Sequence, residues 1–488
     1  MNKKVSLKYL GYLLVIEGAF MLPALLIALI GGETDSVWAF LITIAILSAI
    51  GMPLLMVKPK NTVLYAKDGF FIVAMSWIML SLFGSVPFIV SGAIPSFVDA
   101  FFETVSGFTT TGASILSDIE ALPRSILYWR SFTHWLGGMG VLVFIMAIVP
   151  KSEKGGASLH ILRAESPGPS VGKLVPKMRS TARILYTIYM GMTVLQIVLL
   201  LIGGMPFFDS LVIAFGTAGT GGFAITNNSI AAYNSYYLQA VIAVFMLLFS
   251  INFNIYYLVL TKEARSVFKD TEFKVFFGVV FASVIIIAIN IYQTQQALCD
   301  SFFDSLHNSF FQVASIISTT GFSTADFNQW PTLSKMILFV LMLIGACAGS
   351  TGGGIKVSRI VIFFKSIARE IKKLVHPNSV KLSRMNGKVV PSSVEHSVNG
   401  YLAAYCIISI ASILLLSFDG FDFETTVSSV VACINNVGPG FAMVGPVGNY
   451  GSFSAFGKLV LCADMLIGRL EIFPMLILFS PTLWRRTK

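Results

Sequence analysis

Segments of about 20 apolar residues recur along the whole chain, and they constrain the fold more than any other feature of the sequence. Such a segment, as a helix rising about 1.5 Å per residue, spans the roughly 30 Å hydrocarbon core of a bilayer. Only 12% of the 488 residues are charged, about half the share in soluble domains. The sequence therefore predicts an all-α membrane protein of about ten transmembrane helices, near residues 9–31, 37–57, 69–92, 125–150, 181–204, 236–261, 273–294, 333–365, 397–417 and 455–480.

The basic residues are distributed unevenly between the loops, and this sets the predicted topology. One side holds 29 of the 34 Lys and Arg residues if it carries both termini and segments 58–68, 151–184, 262–274 and 356–396. The positive-inside rule makes that side, with both termini, cytoplasmic. The net charge of +10 thus reflects orientation, and no nucleic-acid partner is expected. Segments 151–184 and 356–396 are candidate docking surfaces for a regulator or for anionic membrane lipid.

The loops on the opposite side carry mainly acidic residues. A negatively charged vestibule would concentrate cations at the outer mouth of a pore. Alternatively, each acid is a solvated loop residue or a cap of a short helix. The residues concerned include Asp99, Glu103, Asp209, Asp300, Asp304, Asp422 and Glu424.

Four related segments, each lying between two spans, are too polar and too short to cross the membrane. They read VDAFFETVSGFTTTGASIL, FFDSLVIAFGTAGTGGFAITNNS, FFDSLHNSFFQVASIISTTGFSTADF and DFETTVSSVVACINNVGPGF. Asp99 and Asp209 each precede a glycine by thirteen residues. Such repetition predicts four pseudo-symmetric helix–pore loop–helix repeats around a central ion pore, after two N-terminal helices. The boundaries are 1–67 for the N-terminal unit and 68–152, 153–264, 265–375 and 376–488 for the repeats.

Each repeated segment has the length and composition of a re-entrant pore loop. A helix of about twelve residues covers roughly 18 Å, half of the membrane, and its carbonyl end stabilises a cation. Glycine allows the positive φ that turns a carbonyl inward, where it replaces the water around an ion. Alternatively, Gly and Thr only permit close helix packing. The predicted filter comprises Thr110, Thr111, Gly112, Thr220, Gly221, Gly222, Thr319, Thr320, Gly321, Asn436, Val437 and Gly438.

A glycine-rich string, GACAGSTGGG at 345–354, interrupts the long apolar segment 333–365. Since five glycines in ten positions disfavour a continuous helix, we expect a flexible intramembrane loop that obstructs the cytoplasmic half of the pore. A phosphate-binding P-loop would require Lys directly after the last glycine, where Ile355 stands. The predicted gate comprises Gly345, Gly349, Ser350, Thr351, Gly352, Gly353, Gly354, Lys356 and Arg469.

Arg469 belongs to this gate hypothesis because it falls near the middle of the final apolar span. A charge at that depth must face the protein interior or water and find partners. Loop carbonyls would serve. The alternative is a purely structural ion pair, although Asp464 and Glu471 lie five and two residues away, off the face of Arg469. An acid on a neighbouring helix stays an alternative.

These motifs together resemble the Trk, Ktr and HKT superfamily of potassium transporters, most closely its TrkH type. The similarity covers nearly the whole chain and is carried by TTTGAS, GTGGFA, STTGFST, NNVGPGF, GSTGGGIKVSR and GRLEIFP. The resemblance implies K⁺ as the transported ion and no covalent cofactor. It further implies a homodimer with one pore per subunit, a cytoplasmic TrkA-like nucleotide-binding regulatory subunit, and the bacterial cytoplasmic (inner) membrane.

Two other classes of protein would leave different signatures. A membrane enzyme needs catalytic or metal-binding residues at one depth, whereas the five histidines and five cysteines are dispersed. We therefore expect no enzyme activity, and packing or vestibule roles for His134 and His307. A secondary transporter of an organic solute predicts two repeats instead of four. Coupling of cation transport to sodium or protons stays an open alternative.

Overall fold

A computed structural model of the chain describes residues 2–59, 65–140, 178–261, 264–294, 301–377 and 383–481. Within these ranges the elements are helices and one antiparallel hairpin, β1 (Arg384–Met385) paired with β2 (Lys388–Val389). Cys299, Asp300 and most of the basic segment 151–184 lie outside the described residues.

Two apolar spans precede the first repeat, as predicted. The first consists of α1 (Lys3–Phe20) and α2 (Leu22–Gly31), and the second is α3 (Thr34–Leu55). Helix α1 packs on α3 and on the first helix of the next unit. The N-terminal unit thus flanks the first repeat.

The remaining helices follow a repeated order of outer helix, short pore helix and inner helix. Repeat one has outer helix α4 (Ala66–Gly84) with α5 (Val86–Val90), pore helix α6 (Phe97–Phe108) and inner helix α7 (Arg124–Gly138). Repeat two has α8 (Met178–Ile202), pore helix α9 (Phe207–Gly219), then α10 (Tyr236–Phe249) and α11 (Phe253–Leu260), followed by the short α12 (Ala264–Val267). Repeat three has α13 (Thr271–Thr294), pore helix α14 (Phe302–Ile317), then α15 (Thr332–Ile344) and α16 (Val357–Val375). Repeat four has α17 (Ser392–Leu416), pore helix α18 (Phe423–Ile434), then α19 (Ala455–Arg469) and α20 (Phe473–Leu476).

The inner helices of repeats two, three and four are broken near their middles. The prediction of one continuous span over 236–261 is wrong, because α10 and α11 meet at 92° around Ser250–Asn252. The break between α15 and α16 contains the glycine-rich string, as expected. The prediction of one continuous span over 455–480 is also wrong, because the chain turns at Glu471 and Ile472, which have φ of 54° and 70°.

The distribution of polarity is that of a protein surrounded by lipid. Six helices in the described residues are long and apolar enough to cross a membrane, and the bent α10–α11 pair makes up to seven. Large apolar side chains such as Phe281 and Ile407 are exposed on these helices, whereas Ser and Thr side chains are buried near the pore helices. The chain is therefore a multi-span membrane protein with a polar interior.

Candidate functional site

The four pore helices end in turns of the same backbone conformation. The residue two positions before each glycine has φ between 54° and 59°, and the glycine itself has φ between 76° and 92°. Positive φ is unfavourable for residues other than glycine, so its repetition at Thr and Asn marks a constrained site. The first set is Thr110, Thr220, Thr319 and Asn436, and the glycines are Gly112, Gly222, Gly321 and Gly438.

The same hydrogen bonds close all four turns. The residue before each glycine donates its N–H to the carbonyl five residues earlier at 2.8–2.9 Å, and the preceding residue bonds three residues back at 3.0–3.1 Å. This pair of bonds is the Schellman ending of a helix. It aligns the four copies residue by residue, with Thr111, Gly221, Thr320 and Val437 at the equivalent middle position.

The four turns form a closed ring. A Cβ atom added at Gly112 would lie 2.0 Å from the carbonyl oxygen of Gly221, and one at Gly222 would lie 1.9 Å from that of Thr320. The ring continues from Gly321 to the Val437 oxygen at 2.3 Å and from Gly438 to the Thr111 oxygen at 2.6 Å. Each glycine therefore lies against a carbonyl of the next repeat, where no side chain fits.

Most of the predicted side-chain hydroxyls are hydrogen-bonded within the wall around this ring, whereas the buried hydroxyl of Thr110 has no protein partner among the described residues. Thr111 contacts the hydroxyl of Thr109 at 2.8 Å, and Thr320 contacts that of Ser318 at 2.7 Å. Asn436 donates its amide to the Thr111 hydroxyl at 3.0 Å, which joins repeat four to repeat one. These bonds hold the backbone of the turns in place.

Repeat four differs from the others at its glycine carbonyl. Tyr450, a buried residue outside the predicted site, donates its hydroxyl to the Gly438 oxygen at 2.7 Å. Among the described residues no such hydrogen bond is found at the carbonyls of Gly112, Gly222 or Gly321. The ring is thus pseudo-symmetric, with one carbonyl held by a phenol.

His134 packs between repeats one and two, which is one of the two roles expected for it. Its Nδ1 lies 2.7 Å from the Gly107 carbonyl, and its Nε2 accepts the Phe223 N–H at 3.3 Å. A carbonyl only accepts and an N–H only donates, so these partners select the neutral Nδ1–H tautomer. The imidazole also fills the space beside Gly221, where a Cβ would lie 2.3 Å from the ring. This contact explains why repeat two has glycine where repeats one and three have threonine.

Glu103, expected in the outer vestibule, is buried instead in an ion pair with Arg130. Arg130 Nε lies 2.6 Å from Glu103 Oε1, and both side chains are almost fully inaccessible. The same carboxylate accepts the Ser114 hydroxyl at 2.9 Å and the Ile115 N–H at 3.0 Å, while Arg130 donates to the Ala224 carbonyl at 2.9 Å. The pair therefore braces the chain that leaves the first two turns.

Replacing Arg130 with alanine is expected to lower the free energy of unfolding by about 3–5 kcal/mol, because the buried carboxylate loses its counter-charge. The measurement is the fraction of purified protein that stays monodisperse in detergent after heating. Lys335→Ala is the matched control, since its pair with Glu424 is substantially exposed and is worth about 0–1 kcal/mol. Equal thermal stability of the two variants would contradict the bracing role.

The other acids predicted to line the vestibule differ in their partners. Asp304 and Asp422 lie at the starts of pore helices, where Asp422 accepts the Thr425 N–H at 2.9 Å. Hydrogen bonds from Tyr236 and Ser301 lower the pKa of Asp304, and those from Thr425 lower the pKa of Asp422. Asp99 pairs with Lys458 at 2.5 Å. Helix capping therefore accounts for part of this acidic set.

The glycine-rich loop between α15 and α16 lies against the turns of repeats three and four. Gly353 donates its N–H to the Thr319 hydroxyl at 2.6 Å, and Gly354 donates to the Asn435 carbonyl at 3.0 Å. A Cβ atom at Gly353 would lie 2.2 Å from that carbonyl, so this close approach requires glycine.

The loop also fits the break between α10 and α11. Cys347 donates its N–H to the Ser250 carbonyl at 3.0 Å, and Phe253 donates to the Gly349 carbonyl at 3.0 Å. The Thr351 hydroxyl donates to the Phe249 carbonyl at 3.1 Å. Two broken helices thus satisfy each other's backbone groups within the membrane. Most of the loop N–H groups donate to acceptors within the protein, which argues against the P-loop alternative.

Arg469 connects this loop to the inner helix of repeat one. Its guanidinium donates to the Thr351 carbonyl at 2.7 Å and to the carbonyls of Gly137 and Gly138 at 2.5 and 2.9 Å. Lys356 donates to the Gly352 carbonyl within the loop. Nearby, Glu471 pairs with Arg359 of α16. The predicted gate residues therefore meet at one place, and they link all four repeats.

Sequence reasoning missed several residues that hold this assembly. Tyr450 and Ser250 carry no local signal, because their roles depend on partners distant in sequence. Glu272 had a signal, because it is an acid at the start of an apolar span, and its carboxylate bonds the glycine-rich loop.

The sequence profile of the TrkH family, described as a cation transport protein, matches residues 37–486. The chain is 37% identical to the Trk system potassium uptake protein TrkH of Salmonella typhimurium strain LT2, over 99% of this chain and 100% of that protein. It is 32% identical to the Trk system potassium uptake protein TrkI of Halomonas elongata, over 98% and 96% of the two chains. The crystal structure of the potassium transporter TrkH from Vibrio parahaemolyticus is similar with a TM-score of 0.89 and 33% identity, over 99% of this chain and 100% of that one.

Proposed function

The chain belongs to the TrkH family of cation transport proteins, and from this premise we propose that it takes up potassium ions through the ring of four turns. The observation that carries the proposal is the closed contact of each turn glycine with a carbonyl of the next repeat. Such a ring offers backbone oxygens in place of the ion's water shell. Relatives named for potassium uptake support the choice of ion.

The proposed filter residues are the three aligned positions of each turn, from Thr110–Gly112 to Asn436–Gly438. Their repeated positive φ supports this role, because it orients successive carbonyls differently from a helix. The C-terminal ends of the four pore helices point to the same region and add negative potential. The proposed transported ion is K⁺, without a covalent cofactor or enzymatic step.

The proposed gate is the loop from Gly345 to Lys356 together with Arg469. Its contacts with Thr319 and Asn435 support a position directly against the filter, on the path of an ion. The arginine donates to three backbone carbonyls, one of which lies in the loop, and a movement of the loop can break that bond. Movement of this short backbone segment would then be enough to open or close the pore.

The wider assembly is proposed from the family. We place the chain in the bacterial cytoplasmic membrane as a homodimer with cytoplasmic termini, and with a TrkA-like nucleotide-binding regulatory subunit. The division into 1–67, 68–152, 153–264, 265–375 and 376–488 is proposed as one flanking unit and four pore repeats. The amphipathic α16 carries Arg369, Lys372 and Lys373, which makes it a docking surface for the regulator or anionic lipid.

Growth of a potassium-uptake-deficient bacterium on limiting potassium tests the proposed function. Expression of this chain should restore growth, and voltage-clamped recording of the purified protein should give a reversal potential that follows the potassium gradient. A reversal potential that also depends on a proton or sodium gradient would favour the alternative of coupled transport. Absence of any potassium flux would contradict the proposal.

Selectivity is expected to be modest. Repeat four has Asn436 instead of threonine and a glycine carbonyl held by Tyr450, so fewer equivalent oxygens surround the ion. Rubidium and some sodium should therefore permeate, as measured by ion flux into liposomes. A potassium preference over sodium greater than about a thousandfold would contradict this expectation.

A further inference from the structure

Glu272 is a buried acid at the start of α13 that bonds both limbs of the gate loop. It is 3% exposed. One carboxylate oxygen, Oε1, accepts the Ala348 N–H at 2.7 Å and the Ser358 N–H at 3.0 Å. Ala348 lies on the limb that enters the loop, and Ser358 lies in the first turn of α16, directly after it. One oxygen atom thus joins the segment that enters the loop to the segment that leaves it.

The charge on this carboxylate strengthens both bonds. Hydrogen bonds to an ionised acceptor in a buried site are stronger than those between neutral groups. The first turn of α16 also presents the positive end of its helix dipole to Glu272. Lys356 and Arg359 lie close enough to interact with it electrostatically. Loss of the carboxylate would leave two buried backbone N–H groups without an acceptor, which favours rearrangement of the loop.

The residues directly before Glu272 are held by the cytoplasmic hairpin. Asn386, in the turn of the hairpin, donates its amide to the Asp270 carboxylate at 2.6 Å and accepts the Thr271 N–H at 2.8 Å. Asn386 and Gly387 have φ of 53° and 75°, the values of a tight hairpin turn. The hairpin is therefore attached to the helix start that positions Glu272.

We propose that Glu272 is a positioning residue of the gate, and that the hairpin Arg384–Val389 couples it to the cytoplasmic surface. The carboxylate keeps the loop against the filter, and displacement of the hairpin shifts the start of α13 and weakens that hold. This inference rests on the proposed role of the loop as a gate. According to this inference, a partner that moves the hairpin on the cytoplasmic side changes the position of the loop through Glu272, without binding the loop itself.

The first test compares potassium flux into liposomes for wild type, Glu272→Gln and Glu272→Ala. Flux should rise by about tenfold or more for Ala and less for Gln, which keeps an acceptor but loses the charge. Glu395→Gln is the matched control, because Glu395 is also a buried glutamate in the first turn of a membrane helix but pairs with Arg369. Wild-type flux in both Glu272 variants, with normal assembly by gel filtration, would overturn the proposal.

The second readout is the accessibility of Cys347, a buried thiol inside the gate loop. Mass spectrometry after exposure to a maleimide reports this cysteine separately from the others. Alkylation of Cys347 should be faster in Glu272→Ala than in wild type, while Cys433 and Cys462 in repeat four stay protected. General unfolding would expose all three thiols together, and that result would overturn the specific role of Glu272.

Asn386→Gly tests the coupling to the hairpin. Glycine keeps the positive φ of the turn and removes only the amide that bonds Asp270 and Thr271. Faster alkylation of Cys347 is expected, and an unchanged rate would overturn the hairpin route. If Arg469→Ala raises flux but the Glu272 variants do not, this inference fails while the proposed gate stands. If wild type conducts no potassium, the proposed function itself fails.

Discussion

Replacing Gly222 with alanine is expected to reduce potassium uptake to the background of liposomes without transporter. The residue has φ of 76°, and its Cβ would lie 1.9 Å from the Thr320 carbonyl oxygen and 2.9 Å from the carbonyl carbon. Left-handed backbone alone costs an L-residue about 1–2 kcal/mol. The overlap is with backbone, which has no rotamer to move, so the ring of carbonyls must distort. Flux of ⁸⁶Rb or potassium, at matched amounts of folded protein, measures the effect.

Gly278→Ala is the matched control for this experiment. Gly278 lies on an exposed face of α13, and a Cβ there would have no heavy atom within 4 Å. Alanine should be neutral or slightly stabilising at that helical position. Uptake by Gly222→Ala at the level of Gly278→Ala would contradict the proposed filter.

Arg469→Ala is expected to raise potassium flux, by roughly tenfold if one strong set of charge-assisted bonds holds the loop closed. The guanidinium bonds the loop at Thr351 and repeat one at Gly137 and Gly138. Its removal therefore breaks the connection of the loop to α19 and, through α19, to the inner helix of repeat one. Liposome flux without a regulatory subunit is the measurement. Arg469→Lys should give an intermediate value, because lysine keeps the charge but not the planar set of donors.

Deletion of Ser350–Gly353 provides the second arm of this test. A shortened loop can no longer reach Thr319, so flux should again increase. Adding Arg469→Ala to the deletion should then change little, since the arginine has lost its loop partner. Unchanged flux in the correctly assembled single variant and in the deletion would remove the gate hypothesis.

Much of the fold followed from local features of the sequence. The two N-terminal spans and the four polar segments between spans are where the apolar lengths predicted them. The similarity of the four polar segments extends to the φ angles and hydrogen bonds of their turns. Local sequence did not reveal the right-angle break between α10 and α11, because Ser250–Asn252 has no proline or glycine to mark it.

In the candidate site, too, some features were predictable from single residues and others depended on contacts between distant residues. Positive φ at the glycines and the irregular loop over 345–354 are requirements of single residues, which residue type reports directly. The burial of Glu103 and Arg130 was not predicted, because an acid and a base 27 residues apart become a pair only when pore helix and inner helix pack together.

By itself, the sequence determined how many repeats there are, where the four polar segments must turn within the membrane, and that residues 345–354 cannot form a continuous helix. These properties depend on apolar length and on the backbone freedom of individual residues. Only the tertiary structure decided which groups meet, such as Asn436 with Thr111 across 325 residues and Arg469 with Gly137 across 332. The physical reason is that a hydrogen bond or ion pair depends on distance in space, which the packing of four repeats around one axis sets.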